Sequence, residues 1–517
     1  MGVTMAIDQT TVDTWLEEVL AGDVDVAAML CDSHPQDAVA FTFVDHDLNV
    51  EKLTYGQLEE RSRKLAGHFK SMGIGEGDRV GVLLTKREEL VVTLVALVRL
   101  GAVYIPLFTA FATPAVEMRM KASDAKLVVT EDSQLFKVEP LGLPVFMAGS
   151  EYQRALETAE PVNENYLAAP DHPFLQLYTS GTTGAPKGVP VPVRALAAFK
   201  TYMKISLDVR DDDVFWNAAD PGWAYGLYYG VVGPLAIGVP NILYTGKAGP
   251  EDTLRVLTEL GVTNFAGAPT LYRTLAKADT DQKANLRRAS SAGEPLTADI
   301  LAWSPDALGC EVRDQYGQTE LGMVICSHWA DSYRQPVKKG SMGRPMPGIV
   351  ADVIEGVIAI DTQNSPNFWF MGYHNEPERT AVRYSDDGRW YLTGDLGRID
   401  EDGDVFFASR DDDLILMAGY RISPFDVESV LVEHDAVADV AVVGRPDPEG
   451  VRGEIAEAFI VLRSGWTGGD ELAKELQQAV REGYSAHAYP RRFHFVDELP
   501  KTPSGKTQRY KLKEYEG

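Results

Sequence analysis

The amino-acid sequence predicts an α/β protein: a large N-terminal domain with mostly parallel sheets flanked by helices, followed by a small α+β C-terminal domain. Two observations predict it. A helix, a glycine turn and a strand recur in that order, at 55–84 and again at 254–265, and such alternation belongs to parallel sheets. Near residue 410 the texture changes at a short charged break, Ser409-Arg410-Asp411-Asp412-Asp413, beyond which that alternation gives way to a different order of elements.

Taken in order, residues 55–73 show helical spacing and end at Gly73; Gly75 and Gly77 follow, and 80–84 reads as a strand. These glycines follow a helix and precede a strand, the wrong polarity for a dinucleotide-binding turn, so they read as a plain turn. The most apolar run, 90–108, is broken by Arg99, Gly101 and Pro106. A bilayer span needs about 20 uninterrupted apolar residues, so this run reads as a buried helix leading into a strand. Residues 174–178 read as a strand, 254–260 as a helix ending at Gly261, and 262–265 as a strand. After the break come a strand (414–417), a helix (424–433), two strands (438–443 and 456–462) and a helix (471–481). That is enough for a compact domain of about 100 residues.

The chain has 517 residues, with 49 Lys+Arg against 76 Asp+Glu and a net charge of −27 at pH 7. So acidic a surface repels phosphodiester backbones, which excludes nucleic acid and stable association with anionic membranes as favoured partners. An anionic ligand must be held by local cations and backbone N–H groups. Cys31, Cys310 and Cys326 lie far apart without a CxxC pair, which fits a reducing, cytoplasmic setting rather than a disulfide frame or zinc cluster. The first residues, Met1-Gly2-Val3-Thr4-Met5-Ala6, lack a signal-peptide pattern. The tail reverses the overall sign with Lys501, Lys506, Arg509, Lys511 and Lys513, and reads either as a solvated terminal segment or as an anion site.

Tyr178-Thr179-Ser180-Gly181-Thr182-Thr183-Gly184-Ala185-Pro186-Lys187-Gly188 follows the strand at 174–178. Glycines let a backbone approach an anion closely, Ser and Thr add hydroxyl donors, and Lys187 adds a point charge. The spacing is not that of a Walker A loop, because the lysine follows Gly184 by three residues and Pro186 intervenes. The ordered string TSGTTGAPKG resembles the signature loop of the adenylate-forming superfamily: acyl- and aryl-CoA synthetases, adenylation domains of peptide synthetases, and luciferases. Companion segments follow in the order of that superfamily. Ser291-Ala292-Gly293-Glu294-Pro295 resembles its adenine-binding turn, and Asp314-Gln315-Tyr316-Gly317-Gln318-Thr319-Glu320 its next motif. The resemblance implies that Tyr316 stacks on adenine, Thr319 touches the α-phosphate and Glu320 holds Mg2+. Trp390-Tyr391-Leu392-Thr393-Gly394-Asp395 resembles the ribose motif, with Asp395 and Arg410 on the ribose hydroxyls. Asp412 falls at the family's hinge, Gly419-Tyr420-Arg421 at a segment whose arginine approaches the phosphates, and Pro500-Lys501-Thr502-Pro503-Ser504-Gly505-Lys506 at the last motif. Its final lysine, Lys506, is implied to contact the reacting carboxylate.

The resemblance thus implies an AMP-forming acyl-CoA synthetase with ATP, Mg2+ and CoA, divided into an N-terminal domain at 1–411 and a mobile C-terminal domain at 412–517. It further implies that the C-terminal domain rotates about Asp412, withdrawing Lys506 and presenting the Gly419 face to CoA. The motifs are nearest to those of short- and medium-chain acyl-CoA synthetases. There Trp223, Ala224, Tyr225 and Gly317 would border the acid; acetyl-CoA synthetases carry a Trp where Gly317 stands, so an acid longer than acetate is expected. Tyr225, Tyr228 or Tyr229 are candidates to refill that space. Acetyl-CoA synthetase proper, loading of a carrier-protein thiol, a luciferase-like oxygenase and an inactive nucleotide sensor are the alternatives. A lysine acyltransferase or deacylase acting on Lys506, and a homo-oligomer, complete the partners considered. The segment Val432-Glu433-His434-Asp435-Ala436-Val437 resembles a cation-binding turn of acetyl-CoA synthetases, or else is a plain loop.

Overall fold

The structure is a computed structural model describing residues 9–179, 186–246, 249–278, 280–410, 413–417, 420–448, 454–483, 489–501 and 507–515, with the side chains of all of these except 410, 416, 420 and 421. The chain divides into two compact units, Met1–Ala351 with Ile360–Tyr391, and Asp352–Ala359 with Leu392–Gly517. The expected hinge residue, Asp412, lies outside the described residues.

The first unit holds a six-stranded sheet in the order Val145–Met147, Leu127–Thr130, Arg79–Leu83, Val103–Pro106, Pro173–Thr179, Lys187–Pro192. Its pairs are parallel until the last, which is an antiparallel hairpin. In a second sheet, Phe215–Asn217, Asn264–Gly267, Arg288–Ala292 and Val312–Gln318 run parallel, and Gly322–Cys326 turns back antiparallel. On the opposite side this sheet continues through Asn241–Tyr244 and Val39–Val44, also parallel. The sheets are therefore mostly parallel, as alternation predicts, with antiparallel strands at their margins.

Local chemistry explains the helices. The helix Tyr55–Ser71 starts at a capping box: Gln57 N–H donates to the Thr54 hydroxyl, and Thr54 N–H donates back to the Gln57 side chain. It buries Leu58, Leu65 and Phe69. The helix Glu88–Arg99 is buried along almost its whole length, including Arg99 at 1% exposure. Arg99 reaches both oxygens of Asp32, at 2.6 and 2.9 Å, and donates to Asn165. A charge at that depth persists because it is paired and hydrogen-bonded; against the cost of burial, Arg99 and Asn165 hold the Asp32 carboxyl below its usual range. The arginine that interrupts the apolar run is thus part of a core. Among the described residues no helix is long and apolar enough to cross a membrane.

In the second unit Val437–Pro446 pairs antiparallel with Glu454–Leu462, which pairs parallel with Arg492–Phe495. The helix Asp470–Gly483 lays Leu472, Leu476 and Val480, spaced by four, against Val427, Leu431, Val442 and Ile460. This is the expected α+β arrangement. His434 belongs to a tight turn, its Nδ1 accepting from Ala436 N–H at 3.2 Å. Among the described residues no cluster of His, Cys, Asp and Glu is arranged to hold a metal ion.

Candidate active site

Ligand sites in open parallel sheets form at the carboxyl ends of the strands, and the sequence motifs follow those ends in the first unit. Thr179 closes the strand Pro173–Thr179 and pairs with Lys187, which opens the returning strand. Ser180, Gly181, Thr182, Thr183 and Gly184, between them, lie outside the described residues. Ala292 ends its strand level with Gln315, so the turn at Gly293, Glu294 and Pro295 starts beside Tyr316. Gly293 adopts φ +106°, a region that favours glycine.

Two carboxylates expected near the nucleotide brace the loops instead of facing outward. Glu294 takes the Arg273 guanidinium at 2.7 Å, tying its turn to the helix Pro269–Ala276. Asp314, 8% exposed, accepts from Leu296 N–H at 3.3 Å and Gln315 N–H at 3.0 Å. It joins the 293–296 turn to the next motif, and burial pushes its carboxyl up to about 7. Gln315 is buried and donates to Ser327 O at 3.2 Å.

The hairpin Val312–Gln318/Gly322–Cys326 carries a bulge between Tyr316 and Gly317. A Cβ at Gly317 would fall on the carbonyl oxygen of Gly322, with Met323 Cα 2.7 Å away. Gly317 is therefore required by the close approach of two backbones. This adds a reason for the glycine that the emptied pocket wall did not supply. Two phenols brace the hairpin from beneath: Tyr228 donates to Thr319 O at 3.0 Å, and Tyr229 accepts from Met323 N–H at 2.7 Å. Tyr225 shares a 3.0 Å hydrogen bond with Tyr202. Phe199 stacks on Tyr228 with ring centroids 4.7 Å apart. Trp223 packs elsewhere, against Phe108 and Phe111, with Ala224 opening the short helix behind it.

Thr319 and Glu320 occupy the turn of the hairpin. Glu320 is 8% exposed and accepts from the Tyr373 hydroxyl at 2.8 Å; among the described residues no other donor reaches it. Lys187 Nζ donates to the same phenol oxygen at 3.4 Å and lies 4.7 Å from the ring centroid. A largely buried carboxylate with an oxygen left over is a hard oxygen donor suited to Mg2+, which is usually bound through one or two carboxylates and substrate phosphates. Around it, Arg383 donates to Gln318 Oε1 at 3.3 Å and to Tyr391 OH at 3.0 Å, and Gln318 reaches Tyr316 OH at 3.5 Å. Burial works against the Arg383 charge, but Tyr391, Tyr373 and Glu320 keep its pKa above the usual arginine value. Sequence reasoning missed Tyr373 and Arg383. Neither carries a chemical signature, and only the fold brings 373 to 320.

In the second unit Asp395, 6% exposed, pairs across antiparallel strands with Arg410, and its N–H donates to the Thr393 hydroxyl at 3.1 Å. Arg421 lies on the short strand Tyr420–Ile422 opposite Leu416. Gly419 and Lys506 lie outside the described residues. Burial pushes the thiols of Cys310 and Cys326 up to about 12, and that of Cys31 higher, so none is poised as a nucleophile.

Known proteins share this plan. Residues 29–357 match the family model described as AMP-binding enzyme, and 426–506 match that of the AMP-binding enzyme C-terminal domain. The acetyl-coenzyme A synthetase of Bacillus subtilis (strain 168) is 35% identical over 90% of this chain and 85% of its own. The mitochondrial acyl-coenzyme A synthetase ACSM3 of Rattus norvegicus is 33% identical over 92% and 86%. The solved structure of an acyl-CoA synthetase from Brucella canis is 41% identical, with a TM-score of 0.76 over 98% of this chain and 97% of that one. With the motifs, the fold and the match all in agreement, the chain belongs to the family of AMP-binding enzymes.

Proposed function

We propose that this protein joins a carboxylic acid to AMP and hands the acyl group to coenzyme A. The class is that of its relatives: an AMP-forming acyl-CoA synthetase using ATP, Mg2+ and CoA. A free carboxylate is a poor electrophile. In the first step a carboxylate oxygen attacks the α-phosphorus of ATP, the bond to the β-phosphate oxygen breaks, and pyrophosphate leaves. In the second the CoA sulfur attacks the acyl carbon, AMP leaves, and the thiol proton is released. The first step brings two anions together, so its dominant requirement is preorganised positive charge and donors, with positioning next.

The observation that carries this reading is the convergence of Lys187 and Glu320 on one phenol. In the proposed division of labour, Lys187 and the 179–184 loop take the phosphates. Thr319 contacts the α-phosphate and Glu320 holds Mg2+, which would screen the triphosphate charge. The 293–295 turn and Tyr316 take adenine, held in register by Asp314 and Gln315, and Asp395 and Arg410 take the ribose. Arg421 approaches the phosphates. Lys506 meets the reacting carboxylate and is withdrawn when the C-terminal domain, 412–517, turns about Asp412 and brings Gly419 to CoA. Acylation of Lys506 would silence the first step alone by removing that charge.

A short- to medium-chain acid remains the proposed substrate. Its support is the resemblance of the motifs to those of short- and medium-chain acyl-CoA synthetases, with glycine at 317 where acetyl-CoA synthetases carry a Trp; Tyr225, Tyr228 and Tyr229 pack ring against ring next to that hairpin. A hydrocarbon pocket discriminates by about 1–3 kcal/mol per methylene, so several acids should be used. The test is acid-dependent ATP–pyrophosphate exchange across acetate, butyrate, hexanoate and benzoate, with and without CoA. Butyrate or hexanoate should lead; a clear preference for acetate overturns the substrate reading, and no exchange with any acid overturns the activity. Lys506→Ala should abolish exchange yet keep thioester formation from synthetic acyl-AMP; equal loss of both half-reactions rejects its role.

A further inference from the structure

Tyr373 stands between a cation and an anion that the proposed reaction needs separately. Its hydroxyl donates to Glu320 Oε1 at 2.8 Å and accepts from Lys187 Nζ at 3.4 Å. Among the described residues no ammonium or guanidinium pairs directly with Glu320. Opposite charges at a poorly solvated site attract far more strongly than in water, and a lysine is a point charge on a flexible four-carbon stem. Without something between them, the Lys187 ammonium would swing onto Glu320. Each would then neutralise the other, taking the ammonium from the phosphates and the carboxylate from the metal.

A phenol suits the gap because one oxygen both donates and accepts. Here that oxygen is the Tyr373 hydroxyl, bonded to both side chains. Its position is set by backbone bonds on both sides. His374 N–H donates to Gly188 O at 2.8 Å, one residue from Lys187, and Tyr373 N–H donates to the Thr380 hydroxyl at 2.9 Å. The other nearby cation, Arg383, is engaged by Gln318 and Tyr391.

We infer that Tyr373 is a positioning residue that holds Lys187 and Glu320 apart, leaving each available to the Mg2+–ATP complex. The inference rests on the reading of this site as the one that binds MgATP. The test uses the full chain as wild type, Tyr373→Phe, Lys187→Ala and the double variant. Calorimetry measures ATP binding with Mg2+ and with EDTA, and the Mg2+ dependence of pyrophosphate exchange is followed alongside. Tyr373→Phe should weaken binding of MgATP roughly 10–100-fold, the range for groups that orient a metal ligand, and weaken metal-free ATP much less. With Lys187 already replaced by Ala, adding Tyr373→Phe should cost MgATP binding little more, since no ammonium is left to collapse. Equal weakening of ATP with and without metal, or the same added loss in both backgrounds, overturns the inference. Thr380→Val, which loosens the Tyr373 backbone and leaves the phenol intact, should shift the Mg2+ dependence in the same direction by less; no shift there, should Tyr373→Phe not fold, overturns it equally. If wild type binds MgATP and the variants match it, this inference alone falls; if wild type binds none, the reading of the site falls with it.

Discussion

Two hairpins of the first unit supply the charged side chains of the site, and they are held in opposite ways. Pro173–Thr179/Lys187–Pro192 is a backbone ladder, and its lysine is met from outside by a phenol on a distant loop. Val312–Gln318/Gly322–Cys326 is bulged, needs glycine at 317, and is braced by Tyr228, Tyr229 and Asp314. One hairpin delivers a charge; the other is a frame on which the carboxylate Glu320 is mounted. The difference separates residues whose loss should stop chemistry from residues whose loss should loosen the protein.

Glu320→Gln should have the largest effect on rate. The amide oxygen still accepts from Tyr373, so the frame stays, but the charged ligand proposed for Mg2+ is gone. Pyrophosphate exchange should fall on the order of 10²–10³-fold, as for loss of one well-placed electrostatic group, with little change in the thermal midpoint. A variant that melts early and loses both half-reactions together would make Glu320 part of the frame and erase the contrast. Gly317→Ala tests the frame directly. A methyl group facing the Gly322 carbonyl should destabilise the protein by about 1–3 kcal/mol or more, as overpacking does, read as a lower urea midpoint with the ranking of acids unchanged. A shift toward shorter acids at unchanged stability would restore the glycine as a pocket wall.

The smallest effect concerns Asp314 and sharpens the account of the frame through pH. Its carboxyl titrates near 7 in the folded chain, against roughly 4 in an unfolded one. The folded state therefore keeps a proton that the unfolded state has released. The stability gained from the neutral form is fully present below about pH 4 and is lost as pH rises through 7, at a slope of up to about 1.4 kcal/mol per pH unit. Asp314→Asn should remove that slope, so that the stability difference from wild type changes steadily in the variant's favour between pH 4 and 7. A difference that does not vary with pH refutes the raised value.

The sequence made the fold legible wherever apolar periodicity and punctuation agreed. The helix Tyr55–Ser71 ends two residues before Gly73, and the four elements 424–433, 438–443, 456–462 and 471–481 each overlap an observed one. Boundaries slipped by a few residues where the signal was a gradient, as at Pro250–Glu259, whose first turn is set by Pro250 and not by apolar spacing. At the site, motifs located Lys187, Thr319 and Glu320, but local sequence says nothing of what a carboxylate will face. Glu294 is taken up by Arg273 from the helix Pro269–Ala276, and Asp314 by backbone N–H groups because the strand Arg288–Ala292 ends beside it. Tyr373 was invisible for the same reason, since its role depends on one hydrogen bond across 53 residues of chain.

The tyrosines under the hairpin carry a lesson for anyone who would retarget the enzyme. Tyr228, one of the residues proposed to shape the acid site, is through its hydroxyl a tether on the peptide carbonyl next to Glu320. On the proposed reading, choice of fuel and handling of the nucleotide are not separate modules. A library that varies 228 or 229 for new acids will also perturb the ATP side, and selections that keep a hydroxyl at those places, or restore its hydrogen bond some other way, should retain more turnover than those that optimise shape alone.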